Sequence, residues 1–225
     1  MRLQTRALLD AIAAGDLESV RRQVQLHPEL AATRDESGVS AILFALYRGR
    51  ADIADVLLAA GPSLDVFDAA AAGRASRLRR LINVDRSAVR AFSADGFTAL
   101  HFAAFFNQPK TAELLIVSGA DVNVRSHNAM AVCPLHSAVA VRASTIVGLL
   151  LASGADPNAA QQGGVMPLHE AAAHNDVALL EALLNHGAHR DSRLDDGRTP
   201  ADVARERGAA DALALLEAGQ SRSAG

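Results

Sequence analysis

The sequence predicts an all-α solenoid, a row of stacked helix-turn-helix units with short β-hairpin loops, forming one domain over residues 1–219. Three observations predict it. The first is repetition: TALHFAAFFNQ from Thr98, CPLHSAVAVRA from Cys133, MPLHEAAAHND from Met166 and TPADVARERGA from Thr199 align directly, their starts stepping by 35, 33 and 33 residues. A fixed period of this length is the signature of a repeat architecture. The second is that the first three boxes lead into a second apolar pattern ending in Gly: AELLIVSGADVN to Asn123, VGLLLASGADPN to Asn158 and LEALLNHGAHRD to Asp191. The third is composition: 48 alanines among 225 residues, 4% aromatics and no tryptophan, so the interior is built from small side chains and its elements approach closely.

Each element has a local reason. Leu149, Leu150 and Leu151, like Leu179, Leu180, Leu183 and Leu184, fall at helical spacing and make one apolar stripe. Gly119, Gly154 and Gly187 stand where a helix C-terminus wants a left-handed residue. Pro134, Pro167 and Pro200 occupy the first turn of the following helix, where a missing N–H costs nothing. Anchoring on the small or polar residue between the two helices extends the register upstream through Asn107, Gly73, Gly49 and Gly15 by steps of 34, 24 and 34. Seven helix pairs result, at about residues 3–35, 38–61, 64–92, 95–124, 127–158, 161–191 and 194–219, with 220–225 a disordered polar tail. The 24-residue step leaves the third repeat no room for a hairpin. The first and third repeats end in LHPELAATRDESG and NVDRSAVRAFSADG, so their closing loops are expected to be set differently.

The TPLH-type box followed by a GADxN-type ending resembles the ankyrin repeat, over more than half of the chain directly and nearly all of it through the extended register. The resemblance implies that His101, His136 and His169 are structural, their imidazoles bonding neighbouring backbone and tying finger to helix. It also implies a non-catalytic protein–protein interaction module, an adaptor, regulator or inhibitor holding a protein partner in a concave groove of first helices and fingers. By the same resemblance the groove positions include Tyr47, Arg48, Phe97, Phe105, Phe106, Val141, His174 and Arg198. Three of the seven Phe and the single Tyr fall among them, and clustered exposed aromatics mark hot spots. A hydrophobic pocket framed by Tyr47, Phe97, Phe105 and Phe106, with Ala71 and Ala72 as its floor beside the missing finger, is therefore expected. The competing expectation is that Phe105 and Phe106 pack to repair the lost finger contact. A small-ligand-binding regulatory protein using a pocket between repeats two and four is the alternative function.

Other classes find little support. No GxSxG, HExxH, GxxxxGK[ST] or strand-linked GxGxxG occurs, there is one cysteine, Cys133, and no enzyme activity, cofactor or metal is expected. Histidines 33 to 35 residues apart belong to different repeats and cannot converge on one ion. Arg74, Arg77, Arg79, Arg80, Arg86 and Arg90 form a basic run without interleaved aromatics, and the net charge is −3, so nucleic acid is disfavoured. The N-terminus carries Asp10, Asp16 and Glu18, which makes it an amphipathic helix and not a signal sequence, and no apolar run is long enough to span a membrane. A cytoplasmic location is expected. Twenty-one Arg against one Lys, with the alanine excess, point to a bacterial source. The loop RSHNAMAVC before the fifth repeat is more irregular than its neighbours, with Met130 near its tip; it reads equally as adaptable contact surface or a tolerated insertion.

Overall fold

The structure is a computed structural model describing residues 2–218. Among them fourteen α-helices follow one another as seven pairs: α1 (Arg2–Ala14) with α2 (Leu17–Leu26), α3 (Ala41–Tyr47) with α4 (Ala51–Ala59), α5 (Val66–Ala71) with α6 (Ala75–Val84), and α7 (Ala99–Phe105) with α8 (Pro109–Val117). Then come α9 (Pro134–Ala140) with α10 (Ser144–Ala152), α11 (Pro167–Ala173) with α12 (Val177–Asn185), and α13 (Pro200–Arg207) with α14 (Ala210–Ala218). The tail expected at 220–225, and residue 219, lie outside the described residues.

One residue between the helices of each pair makes the same turn. Gly15, Gly49, Gly73, Asn107, Arg142, Asn175 and Gly208 all have φ between 50° and 71°, the left-handed turn that stops one helix and starts the next. Most second helices end on a left-handed glycine too, at Gly61, Gly119, Gly154 and Gly187. The first and third pairs do not. There, His27 and Asp85, both with φ near −138°, lead into short 3₁₀ turns, Pro28–Ala32 and Arg86–Arg90, which bury Leu30 and Val89 in the same manner. The two irregular endings are thus one alternative device used twice.

Odd-numbered helices form an inner layer, each packed on the next, and even-numbered helices form an outer layer. Alanines Ala45, Ala69, Ala70, Ala71, Ala103, Ala104, Ala138, Ala171, Ala172 and Ala204 are fully buried along the inner row, which lets those helices approach closely. Between the layers lie Leu8, Ile12, Ile42, Ile53, Leu57, Leu78, Leu100, Leu115, Leu135, Ile146 and Leu150, one continuous core. Such burial contributes roughly 1.5–3 kcal/mol for each large aliphatic side chain. The outer layer has one interruption: α4 packs on α2 and α6 on α8, while α4 and α6 barely touch. Arg74 reaches across to Asp55 at 3.7 Å, an exposed pair worth little.

The hairpin loops are smaller than expected. No β-strand forms among the described residues; pairing is limited to two isolated bridges, Arg34 with Ser40 and Phe92 with Thr98. Each finger is closed by one backbone bond: Asp35 N to Val39 O, Ser93 N to Phe97 O, Ser126 N to Val132 O, Gln161 N to Val165 O and Leu194 N to Arg198 O, all 2.8–2.9 Å. The finger from Ser126 is two residues longer than the others and takes up the extra length with Ala131 at φ 50°. Before the third pair only residues 60–65 intervene, and no finger forms.

Fingers also hold one another. The amides of His127, Gln162 and Asp195 donate to the carbonyls of Gly96, Met130 and Gly163. Gly96 has φ 84°, and a Cβ there would stand 3.0 Å from the His127 carbonyl carbon. Gly96→Ala therefore meets both a left-handed backbone and a close finger, and is expected to lower stability by about 1–3 kcal/mol, measured as a shift in urea midpoint at unchanged m-value.

Candidate functional site

The boxes that open α7, α9 and α11 place their histidines identically. In His101, Nδ1 accepts from the Thr98 amide (3.2 Å), and Nε2–H donates to the Val132 carbonyl of the next finger (2.9 Å). His136 repeats this between the Cys133 amide (3.2 Å) and the Val165 carbonyl (3.3 Å). His169 Nδ1 takes the Met166 amide at 3.2 Å. Each imidazole thus seals its own helix start, and His101 and His136 also clamp the following finger. The box that opens α3 has Leu43 at this position, and the next pair has no finger to clamp. The box that opens α5 has Asp68, which reaches back instead: its carboxylate accepts from the Ser40 hydroxyl and from Arg34, which also pairs with Asp65 at 2.7 Å. Asp68 is 2% exposed, and burial, with the Asp65 charge beside it, pushes its carboxyl above the usual range.

Without the third finger, its neighbours close up. A Cβ on Gly38 in the second finger would stand 3.3 Å from the Ala94 methyl in the fourth, and Tyr47 Oη donates to Asp95 Oδ2 at 2.8 Å. Tyr47, from α3, lies 5.4 Å from the Phe106 ring and 6.3 Å from Phe102 and Phe105, while Phe67 from α5 lies 5.9 Å from Phe102. These tilted aromatic contacts lie within the favourable range of centroid distances.

A cavity lies beside the expected pocket, displaced along the stack. This cavity, of about 440 Å³, is lined by Tyr47, Asp95, Phe97, Phe102 and Phe105, and continues past Met130, Val132, His136, Ala140, Gln161 and Glu170. It lies against the fourth, fifth and sixth pairs, with Tyr47 at one end. Ala71, expected in its floor, is fully buried beneath neighbouring helices, and Phe102 lines the cavity instead. The two phenylalanines divide the two expectations between them. Phe106 packs on Tyr47 and Phe102 and does not line the cavity, whereas Phe105 is 41% exposed and does. Met130, 49% exposed, forms part of the wall, so the longer finger is part of the site.

The other candidate positions lie outside this cavity. Arg48 sits 5.1 Å over the Phe44 ring. Val141 caps α9 and packs on the core, His174 caps α11 and is exposed, and Arg198 is held in ion pairs with Asp196 and Glu206, both 2.7 Å. In the arginine run, Arg74 pairs with Asp55 and Arg77 donates to the Leu64 carbonyl, while Arg79, Arg80, Arg86 and Arg90 are exposed.

One residue that matters to the site was not singled out from sequence. Glu170 on α11 is largely buried, and its Oε2 has no hydrogen-bond partner among the described residues; burial pushes its carboxyl up to about 7, against the Gln161 side chain, which favours the ionised form. Its signal was faint: Glu170 follows a TPLH-type box as an ordinary helix residue, and only the stacking places it in the wall. Asp95 in the fourth finger holds Tyr47. Cys133 is buried, and burial pushes its thiol up, away from reactivity.

A row of helix pairs whose inner helices and fingers share one face defines a helical-repeat solenoid. The model for ankyrin repeats, in three copies, matches residues 8–126 and 135–222, and the chain belongs to the ankyrin repeat family. It is 32% identical over 115 residues to the tyrosine-protein kinase Shark of Drosophila melanogaster, covering 51% of this chain and 12% of that protein. It is 34% identical over 126 residues to the nuclear factor NF-kappa-B p105 subunit of Mus musculus (55% and 13%), and 31% identical over 139 residues to neurogenic locus notch homolog protein 1 of Danio rerio (47% and 6%). The chain thus spans at most 13% of the length of these relatives. Ankyrin repeats are generally protein–protein interaction modules. Among the described residues no His, Cys, Asp and Glu cluster could hold a metal, and no helix is long and apolar enough to cross a membrane.

The buried ionisable groups give pH dependences of opposite sign. Burial holds His101 and His136 down to about 4, so their contribution to stability is full above the ordinary histidine pKa of about 6.5 and is lost as pH falls towards 4. Glu170 is raised, so its contribution is full at low pH and is lost as pH rises through about 7. Glu170→Gln removes only the second effect. The melting temperature of this variant relative to wild type is expected to rise between about pH 5 and pH 8 and then level off, as read by thermal denaturation across that range.

Proposed function

We propose that this chain is a non-catalytic adaptor, regulator or inhibitor that takes a protein partner on its concave face, the face of inner helices and fingers. We read it as seven repeats with the boundaries given above. One observation supports the reading most directly: Tyr47, Phe105 and Met130 stay exposed around an apolar cavity while Phe102 and Phe106 pack behind them. Exposed aromatics held rigid from behind lose little entropy on binding and commonly anchor interfaces. Arg48, Phe97, Val141, His174 and Arg198 supply the surrounding contacts in this reading. The exposed arginines of α6 and the turn after it lie away from the cavity and are assigned no nucleic-acid role. A cytoplasmic, bacterial setting fits one buried thiol and the arginine excess.

The cavity volume of about 440 Å³ favours one second reading, a small-ligand-binding regulatory protein, since small-molecule sites span roughly 300–1,000 Å³. Affinity capture from native lysate with mass spectrometry separates the two. Wild type is expected to enrich a protein that Phe105→Glu, matched in melting temperature, does not. Equal recovery by both chains removes the cavity from the binding face, and a metabolite-dependent rise in melting temperature without protein capture favours the second reading. Phe106→Ser serves as the packing control and is expected to cost at least ~1 kcal/mol, with Phe105→Ser near neutral.

A further inference from the structure

The cavity is apolar over most of its wall but not neutral. Tyr47, Phe97, Phe102, Phe105, Met130, Val132 and Ala140 make its greasy part, and the ionisable groups that line it are Asp95, Glu170, His101, His136 and the Tyr47 hydroxyl. No Lys or Arg is among the lining residues, in a chain that holds 22 of them. The two histidines spend their ring nitrogens on backbone. Asp95 accepts from Tyr47 and from the Ser93 hydroxyl. Glu170 alone presents a buried carboxyl oxygen, Oε2, without a hydrogen-bond partner among the described residues. A carboxyl so placed is destabilising to the free protein, and a buried polar group left unpaired in a native structure calls for a reason.

The occupant that satisfies both parts of the wall has an apolar stem and a cationic, hydrogen-bond-donating head. Lysine and arginine side chains have this construction, with methylene stems that lie on apolar surface and heads that seek a carboxylate. Aromatic faces add to the attraction for a cation. Resting on the reading of this face as a partner surface, we propose that the cavity is the specificity pocket for a basic side chain, lysine or arginine, of an extended segment of the protein partner. The stem lies along Phe97, Phe102, Phe105 and Met130, and the head ends on Glu170 Oε2. Binding supplies the partner that Oε2 lacks in the free chain, and a neutral or acidic side chain leaves that oxygen buried and unmatched.

The test uses a random peptide library displayed on phage, selected against the full chain, with Glu170→Gln and Phe105→Ser chains of matched melting temperature as comparisons. Peptides enriched on wild type are expected to carry Lys or Arg beside apolar residues. Replacing that residue by norleucine in the best synthetic peptide is expected to weaken binding about tenfold. Glu170→Gln is expected to weaken the parent peptide to a similar degree, and the two changes together to lose no more than either alone. Peptides lost on Phe105→Ser but without a basic residue, and indifferent to Glu170→Gln, overturn the basic anchor while the partner surface stands. Peptides that bind Phe105→Ser as well as wild type, or no enrichment at all, overturn both. Hexylamine binding wild type as tightly as the best peptide reassigns the pocket to a small amine and also overturns the proposal.

Discussion

No helix pair in this chain can bury its own apolar surface. Each exposes two faces, and only the pairs before and after it can cover them, so every element depends on the closeness with which neighbours stack. Alanine sets that distance. The inner row is built from buried alanines, with the larger leucines and isoleucines turned between the layers. The clamp from His101 and His136 to the next finger works only at this spacing, because an imidazole must reach its own helix start and a neighbouring carbonyl at once. The low imidazole pKa values follow from that geometry: each ring is dry, and its Nδ1 must be free of a proton to accept.

The irregular third pair shows what happens when one component of this pattern is removed. With six residues between α4 and α5, there is no finger to clamp, and the preceding box carries Leu43 where the boxes of α7, α9 and α11 carry histidine. The adhesion lost is supplied by different chemistry, with Asp68 reaching back to Ser40 and Arg34 and with Tyr47 leaning across to Asp95 and the phenylalanines. Most of the chain's few aromatics are spent within this repair. The candidate site is its outer edge: Phe97, Phe102 and Phe105 face the cavity, and Phe106 packs behind Phe102 and Phe105.

Much of the fold was legible because it is periodic. The box, the glycine after most outer helices and the residue between the helices recur at mostly regular intervals, and the residue between the helices adopts the same left-handed turn in all seven pairs. The fingers carry only isolated bridges, since five residues have room for a closing bond and little pairing beyond it. The site was legible in its aromatic half, where rare residue types stand out against an alanine background. Its other half was not, because Glu170 lies one period or more from every aromatic residue in the wall and only tertiary stacking joins them. The role of the Asn in the GADxN ending was likewise hidden. Asn123 and Asn158 each bridge to the next pair, donating to the Gly154 and Gly187 carbonyls and accepting from the Asp156 and His189 amides.

The gap between α4 and α6 bears on how the array comes apart. In a linear stack, cooperativity passes from unit to unit through the shared interfaces, and at this one junction the outer half of the interface is nearly missing. What couples the first two pairs to the remaining five is the inner helices α3 and α5, the Arg34, Ser40 and Asp68 cluster beside them, and Tyr47 with its contacts to Asp95 and the phenylalanines. A stack thinned at this junction would part there first, and the two N-terminal pairs would then open as one unit at lower free energy than the rest.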